Sequence, residues 1–407
     1  MRATRSSLAA MAKIDERDID ERDRAAHAPG QAEDRQFMTD AASPALLKDI
    51  LGPQALARIA EAGRLASPRF DDALFMAKAG EGLTALSIIE RVRHIADALA
   101  PALPAGYAAA LEVIRAMAPH LSHGFQAVAL CEYVARHGLH DFDRSMAALA
   151  DLTRFGSAEF AIRPFLEQDA RRTLAVMLGW SGSKDEHVRR LASEGCRPRL
   201  PWATRVTALK RDPTLGAPIL EALRSDPSVY VRKSVANHLN DIAKDRPDWV
   251  LDRLDQWPQD DPGTKWIIRH ALRTLIKQGE SRALALIGAG SRAEVEVRHF
   301  SVAPDVVRLG DRIAIGVDLA STSDRPQRLV VDYRLHYARA AGKTAAKTFK
   351  LRTFDLAPGK AARLNIQQTI RDFSTRRHHA GTHVVELVVN GQTLDRATFD
   401  LATDAEP

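Results

Sequence analysis

DPSVYVRKSVANHLNDIAKD, residues 226–245, opens on an Asp-Pro turn and then runs on without glycine or proline, which reads as one amphipathic helix. Asn237 and Asp241 stand four apart and share a face, with Asn240 and Lys244 flanking them. The same helix carries Arg232 and Lys233. So many polar groups on one helix suit a working surface better than a merely solvated one.

Outward from this stretch the pattern recurs weakly. EFAIRPFL (159–166), EHVRRLASEG (186–195) and WIIRHALRTLIKQG (266–279) each place an aliphatic residue before an arginine, as YVR does. The arginines are Arg163, Arg189, Arg232 and Arg269, spaced 26, 43 and 37 residues apart. The later three segments follow acidic or proline-bearing turns: KDEHV, DPSVYV and DDPGTKW. A period of roughly 40 residues is that of HEAT-type helical pairs, which stack because one pair alone cannot bury its apolar face. Two readings of the arginine series stand side by side. Each arginine either braces its own repeat or joins a row along the concave side of the stack.

Helical spacing extends from about Pro44 to Gly288, through SPALLKDILGPQALARIAEAGRLA, TALSIIERVRHIADALA, GYAAALEVIRAMA and FDRSMAALADLTRF, with Ser43 or Pro44 as the opening signal. Before it, residues 1–40 mix both charge signs with few apolar side chains. They cannot bury enough surface to offset chain entropy, so a mobile tail is expected there.

Near residue 290 the texture changes. VEVRHFSVAPDVVRLGDRIAIGVDLASTS, RLVVDYRLHYAR, TAAKTFKLRTFDLAPGKAARLNIQQTI and THVVELVVNGQTLDRATFDLAT alternate apolar with polar residues. Turn signals fall at Gly310-Asp311, Ala341-Gly342, Pro358-Gly359 and Asn390-Gly391, the last a strong hairpin signal. About seven strands in this span predict an immunoglobulin-like sandwich. The expected chain is therefore multidomain: a tail (1–40), an all-α HEAT-like superhelix or solenoid (41–288) and an all-β immunoglobulin-like sandwich (289–407).

Composition narrows the class. Of 407 residues 45% are hydrophobic and 27% charged, which excludes a mainly disordered chain. No apolar run approaches the roughly 18 to 20 residues that a membrane-spanning helix needs, so no membrane partner is expected. MRATRSSLAAMAK has no apolar core long enough for a secretory signal, and a cytoplasmic location follows as the expectation. Cys131 and Cys196 are too few for a disulfide framework or a four-cysteine zinc site. A net charge of +6, carried largely by arginine, fits phosphate contact, although an Arg-rich and Ala-rich composition can also reflect base composition alone.

No dinucleotide, P-loop, nucleophile-elbow, HExxH or CxxC motif is present, and no metal or organic cofactor is expected. SEGCRPRLPWATR (193–205) gathers Arg197, Arg199 and Arg205 around Trp202, with Pro198 and Pro201 forcing a non-helical path. Basic side chains interleaved with an aromatic suit phosphate and base contact, whereas an ordinary inter-repeat loop would bury the tryptophan. FSTRRHHAGTH, with Arg376, Arg377 and His378, is a basic loop of the sandwich or simply a solvated turn.

FGSAEFAIRPFL, HVRRLASEGCRPRLPWA and DPSVYVRKSVANHLNDIAKD closely resemble the AlkC branch of the AlkC/AlkD DNA-alkylation-repair glycosylases, and CEYVARHGLHDFDRSMAAL is similar to the same family. The resemblance covers about residues 125–250 and extends to the sandwich, which some AlkC-type proteins carry. It implies a monofunctional, monomeric glycosylase that removes cationic bases, N3-methyladenine and N3-methylcytosine, from double-stranded DNA. It further implies a duplex held on the HEAT-like concave face and no full flipping of the lesion, a departure from the usual rule. A base alkylated at N3 is already cationic and leaves without protonation. A carboxylate is then needed to stabilise an oxocarbenium-like sugar and orient water.

By this resemblance Glu159 is the first candidate for that carboxylate, followed by Asp241 and Glu132. Glu194 is a fourth that could simply anchor its own loop. Trp180, Trp202 and Asn237 would surround the lesion. Asn237 stands where the AlkD branch has a tryptophan, so the AlkD aromatic arrangement does not transfer whole. Arg163, Arg189, Arg199, Arg205, Arg232, Lys233 and Lys244, with Arg376, Arg377 and His378 of the sandwich, would contact DNA. A plain alternative for Glu159 is an i,i+4 helical ion pair with Arg163. Two other functions compete: a non-catalytic HEAT-like DNA-binding scaffold, and a protein–protein adaptor, which would need an apolar concave surface in place of the arginines.

Overall fold

The computed structural model describes residues 47–290, 292–339, 344–372 and 377–402. The expected tail, the Ser43/Pro44 signal, the Ala341-Gly342 turn and Arg376 lie outside them. Among the described residues, sixteen α-helices run from Pro53–Ala66 (α1) to Ser281–Leu286 (α16), and eight strands follow from Val295–Ala303 (β1) to Gln392–Ala402 (β8). The all-α then all-β architecture is the one the periodicity predicts.

Local chemistry starts the helices where the sequence punctuates them. Pro53, Pro247 and Pro262 occupy first helical positions, where a missing N–H costs nothing. The Pro53 break divides the first apolar stretch into a 3-10 turn, Leu47–Leu51, and α1. The acidic turns before the repeats fix the chain as it enters each helix, Asp185 and Asp261 as N-caps and Asp226 one step earlier. Asp185 accepts from the His187 N–H at 2.8 Å, Asp226 from the Ser228 N–H at 2.8 Å, and Asp261 from the Thr264 N–H at 2.6 Å.

The chain folds as two compact units, one ending at Asp241 and the other beginning at Ile242. In the first, α5 (Gly124–His137) is buried along most of its length, with Phe125, Val128, Leu130 and Val134 inside, and α3 (Ile88–Ala102) and α6 (Phe142–Leu152) pack against it. Gly156 sits where a Cβ would meet the Gly124 carbonyl oxygen at 2.2 Å, so only glycine lets the following segment cross the start of α5 so closely.

The second unit contains the last helices and the sandwich. Its sheets run β1-β3-β6 and β2-β8-β7-β4-β5, with β5 at Thr344–Leu356 and β6 at Ala361–Thr369, antiparallel except where β2 (Val306–Arg308) runs parallel to β8. Ile313, Ile315 and Val317 of β3 (Arg312–Ser321), Val331, Tyr333 and Leu335 of β4 (Gln327–Ala338), and Val385 and Leu387 of β7 (Gly381–Val389) build one apolar core. The count exceeds seven because β2 is only three residues long, too short for alternation to register. At the expected hairpin, Asn390 (φ 46°) and Gly391 (φ 79°) form the two-residue turn between paired Val389 and Gln392. This turn meets the end of α15 (Arg273–Gln278). A Cβ on Gly391 would lie 2.6 Å from the Gly279 Cα, and one on Gly279 would lie 2.9 Å from the Gly391 Cα.

Candidate active site

Three carboxylates and two guanidiniums alternate in one chain of ion pairs. Glu159 lies in the turn before α7 (Arg163–Gln168), and its Oε2 accepts from Arg190 Nη1 at 2.6 Å and from Ser157 Oγ at 2.5 Å. Arg190, on α9 (Glu186–Glu194), also reaches Glu194 Oε1 at 3.5 Å, one turn along its own helix. Glu194 Oε1 accepts from Arg197 Nη1 at 2.6 Å, and Arg197 Nε donates to Asp241 Oδ2 at 2.9 Å. Asp241 projects from α12 (Val229–Ala243). The five side chains thus join the Ser157–Glu159 turn, α9 and α12, and carry one excess negative charge.

The members differ in what they leave open. Asp241, Glu194, Arg197 and Glu159 are all buried, Glu159 the least deeply of the four. Burial pushes the Glu194 carboxyl up, but Arg197 and Arg190 outweigh it and hold it down at about 2. Burial opposes the Arg190 charge too, yet Glu159 and Glu194 keep that guanidinium above the usual arginine range. Both contacts of Glu159 fall on Oε2. Among the described residues its Oε1 has no hydrogen bond or ion pair, and the side chain keeps 11% of its surface exposed. One carboxylate oxygen is fixed and the other is available.

Tyr230, on the first turn of α12, lies under Arg190, whose guanidinium carbon is 4.8 Å from the ring centroid. The His187 ring meets Tyr230 edge-on at 5.5 Å. Burial pushes the Tyr230 phenol up to about 12. Farther inside, burial drives His238 down to about 3, so the ring is neutral, with Nδ1 at 3.1 Å from the Ser193 carbonyl oxygen.

Several expected DNA contacts need correction. Arg163 is 1% exposed and donates to the backbone carbonyls of Thr204, Gly195 and Arg197 at 2.5, 3.0 and 2.9 Å, so it is an interior brace. It forms no ion pair with Glu159, because α7 begins only at Arg163 and the two residues do not share a helix. Arg189 is committed to Asp226 through Nε at 2.6 Å and Nη2 at 3.1 Å, and to the Ser183 and Lys184 carbonyls through Nη1. Arg232 donates to the Asp226 and Pro227 carbonyls at 2.7 and 2.9 Å. Three of the four arginines in the series therefore brace loops, while Arg269 is exposed. His378 is buried against Tyr337, and its backbone N–H donates to Asp372 Oδ1 at 2.8 Å.

Other candidates keep accessible positions. Trp202 is 49% exposed, with its backbone in the left-handed region at φ 63°. Arg205, Lys244 and Arg377 are exposed; Arg199, Lys233, Asn237 and Trp180, the last residue of α8 (Ala170–Trp180), are half-buried. Glu132, on α5, stands apart from the network and pairs with Arg93 at 3.7 Å, its carboxyl raised by burial. Arg190, Ser157 and Tyr230 are the members sequence reasoning missed. The Arg190/Glu194 spacing of four and the Glu194/Arg197 spacing of three were the available signal. Among the described residues, no group of three or more His, Cys, Asp or Glu side chains could hold a metal ion, and no helix is long and apolar enough to cross a membrane.

Residues 147–275, which contain this network, match the family described as DNA alkylation repair enzyme, and residues 296–403 match the C-terminal Ig-like domain of the uncharacterised protein YhaZ. The chain is 36% identical over 356 residues to the uncharacterized protein YhaZ of Bacillus subtilis (strain 168), covering 87% of this chain and 99% of that protein. It is 50% identical to the alkylpurine DNA glycosylase AlkC of Pseudomonas fluorescens, solved bound to DNA containing an abasic site analog. That structure superposes with a TM-score of 0.85, covering 88% of this chain and 99% of AlkC.

Proposed function

Because the chain belongs to the AlkC-type DNA alkylation repair enzymes with a C-terminal Ig-like domain, we propose that it is a monofunctional DNA glycosylase. Its substrates in this reading are cationic N3-alkylated bases, N3-methyladenine and N3-methylcytosine, in duplex DNA. Residues 41–288 supply the duplex-facing helices and 289–407 the sandwich. The protein acts as a cytoplasmic monomer at the nucleoid, without drawing the lesion fully out of the duplex.

The observation that carries the reading is the division of labour within Glu159. Oε2 is anchored by Arg190 and Ser157, so the direction of Oε1 is set. As the C1′–N bond breaks, its electron pair leaves with the base, which departs neutral, and positive charge develops on the sugar. Oε1 stabilises that charge electrostatically, and the excess negative charge of the network adds to the same field. Water then bonds to C1′ and gives its proton to the carboxylate. Glu194 and Asp241 hold the two arginines in place.

The test is single-turnover release of N3-methyladenine from methylated duplex by wild type, Glu159→Gln and Asp241→Asn. Loss of about 10²-fold or more for Glu159→Gln is expected, the cost of removing a direct transition-state contact. A folded wild type that binds duplex but frees no base above the spontaneous rate would instead identify a scaffold.

A further inference from the structure

We propose that Tyr230 is a positioning residue that acts on Glu159 through Arg190. The proposal rests on Glu159 being the catalytic carboxylate. Arg190 serves two acids at once, Glu159 through Nη1 at 2.6 Å and Glu194 through Nη2 at 3.5 Å. A guanidinium on a long flexible stem between two anions has no unique resting place from Coulomb attraction alone, since tilting toward one anion is offset by retreat from the other. The unequal distances show the tilt that is realised, toward Glu159.

The ring of Tyr230 supplies the missing constraint. Its face lies 4.8 Å from the guanidinium carbon, a cation–π contact that fixes the plane of the fork as well as its place. The ring is itself held: it stands on the first turn of α12, just after the Asp226–Ser228 turn, and His187 meets it edge-on at 5.5 Å from the first turn of α9. Tyr230 and His187 thus lock α12 to the helix that carries Arg190. With the fork fixed, Arg190 Nη1 donates simultaneously to Ser157 Oγ at 3.0 Å and Glu159 Oε2, closing a three-membered set around one carboxylate oxygen. A ring removed from beneath Arg190 frees the fork to swing to Glu194, and Oε1 loses its bearing. The contact uses the ring face, so the hydroxyl is dispensable.

A double-mutant cycle tests this. Tyr230→Leu and Tyr230→Phe are made in wild type and in Glu159→Gln, and single-turnover base release is measured beside affinity for duplex containing an abasic-site analog. Tyr230→Leu should slow release by about 10-fold in the wild-type background and add nothing in Glu159→Gln, because residues that act as one unit are non-additive. Tyr230→Phe should retain most of the rate, and abasic-site affinity should hold in both. Equal losses from Tyr230→Leu in the two backgrounds overturn the proposal alone, as does a Phe variant as slow as Leu. A wild type that releases no base overturns the glycosylase reading and this proposal with it. If Tyr230→Leu does not fold, Tyr230→Met carries the same cycle.

Discussion

Arg163 Nε donates to the Thr204 carbonyl at 2.5 Å from a guanidinium almost wholly removed from solvent. With the Gly195 and Arg197 carbonyls on its Nη1, this one side chain ties together both ends of the loop that carries Trp202 in its left-handed conformation. An aromatic residue adopts that backbone only when its surroundings impose it.

Arg163→Met should therefore destabilise the protein by about 2–4 kcal/mol, since three backbone carbonyls, two of them buried, lose a charged donor. Base release should fall as the Trp202 loop loosens, while the salt dependence of duplex binding stays the same. Denaturant melts and a salt titration of binding check both halves.

Glu159 and Asp241 should separate in stability. Asp241→Ala strips buried Arg197 of one of its two carboxylates and is expected to cost about 3–5 kcal/mol. Glu159→Gln should stay within about 1 kcal/mol of wild type, because the amide keeps a hydrogen-bond acceptor for Arg190 and Glu194 still neutralises it. Denaturant midpoints of the two variants make the comparison.

Acid should act in two stages. Buried His238 resists protonation down to about pH 3, whereas an unfolded histidine takes its proton near 6.5. Between those values the unfolded chain binds the extra proton, so stability falls as pH drops through the window. Glu194, held at about 2 against an ordinary 4.5, adds a second loss as pH falls from 4.5 towards 2. Asp332 has the opposite sign: burial raises it to about 6 from 3.8, and the stability it gives below 3.8 is lost as pH rises through 6. Between about pH 6 and 4.5 the Asp332 gain offsets the His238 loss, so denaturant midpoints should stay nearly level there and decline from 4.5 to 3. His238→Asn should turn the level stretch into a rise as pH falls.

Phosphate contact should be found at exposed cations. Arg205→Ala and Arg377→Ala should each lower the slope of log affinity against log salt by about 0.9. His378→Ala should leave that slope unchanged and cost the sandwich about 1 kcal/mol through the lost contacts to Asp372 and Tyr337. Fluorescence anisotropy over a range of salt concentrations gives the slopes.

Much of the fold was legible because its signals are local. Acidic caps and first-turn prolines mark helix starts, and Asn390-Gly391 marks its hairpin, each within a few residues. The site is less legible because its partners are distant in sequence. Glu159 has Arg163 four residues on, yet it pairs with Arg190, and only the position of the start of α7 decides between them. Arg189 and Arg190 are adjacent letters that point to different sides of one helix, the first to Asp226 and the second to Glu159. Likewise, nothing in RRHH separates an exposed Arg377 from a buried His378; that depends on Tyr337, from strand β4.

At Gly279 and Gly391 two main chains touch with no side chain between them. Such a seam has no adjustable part: a substitution on either side cannot be absorbed by rotating a rotamer, so helix end and strand turn can change only together. Anyone transplanting the sandwich to another scaffold would have to carry the chain from Ile242 onward, or else redesign a joint that has no spare atoms.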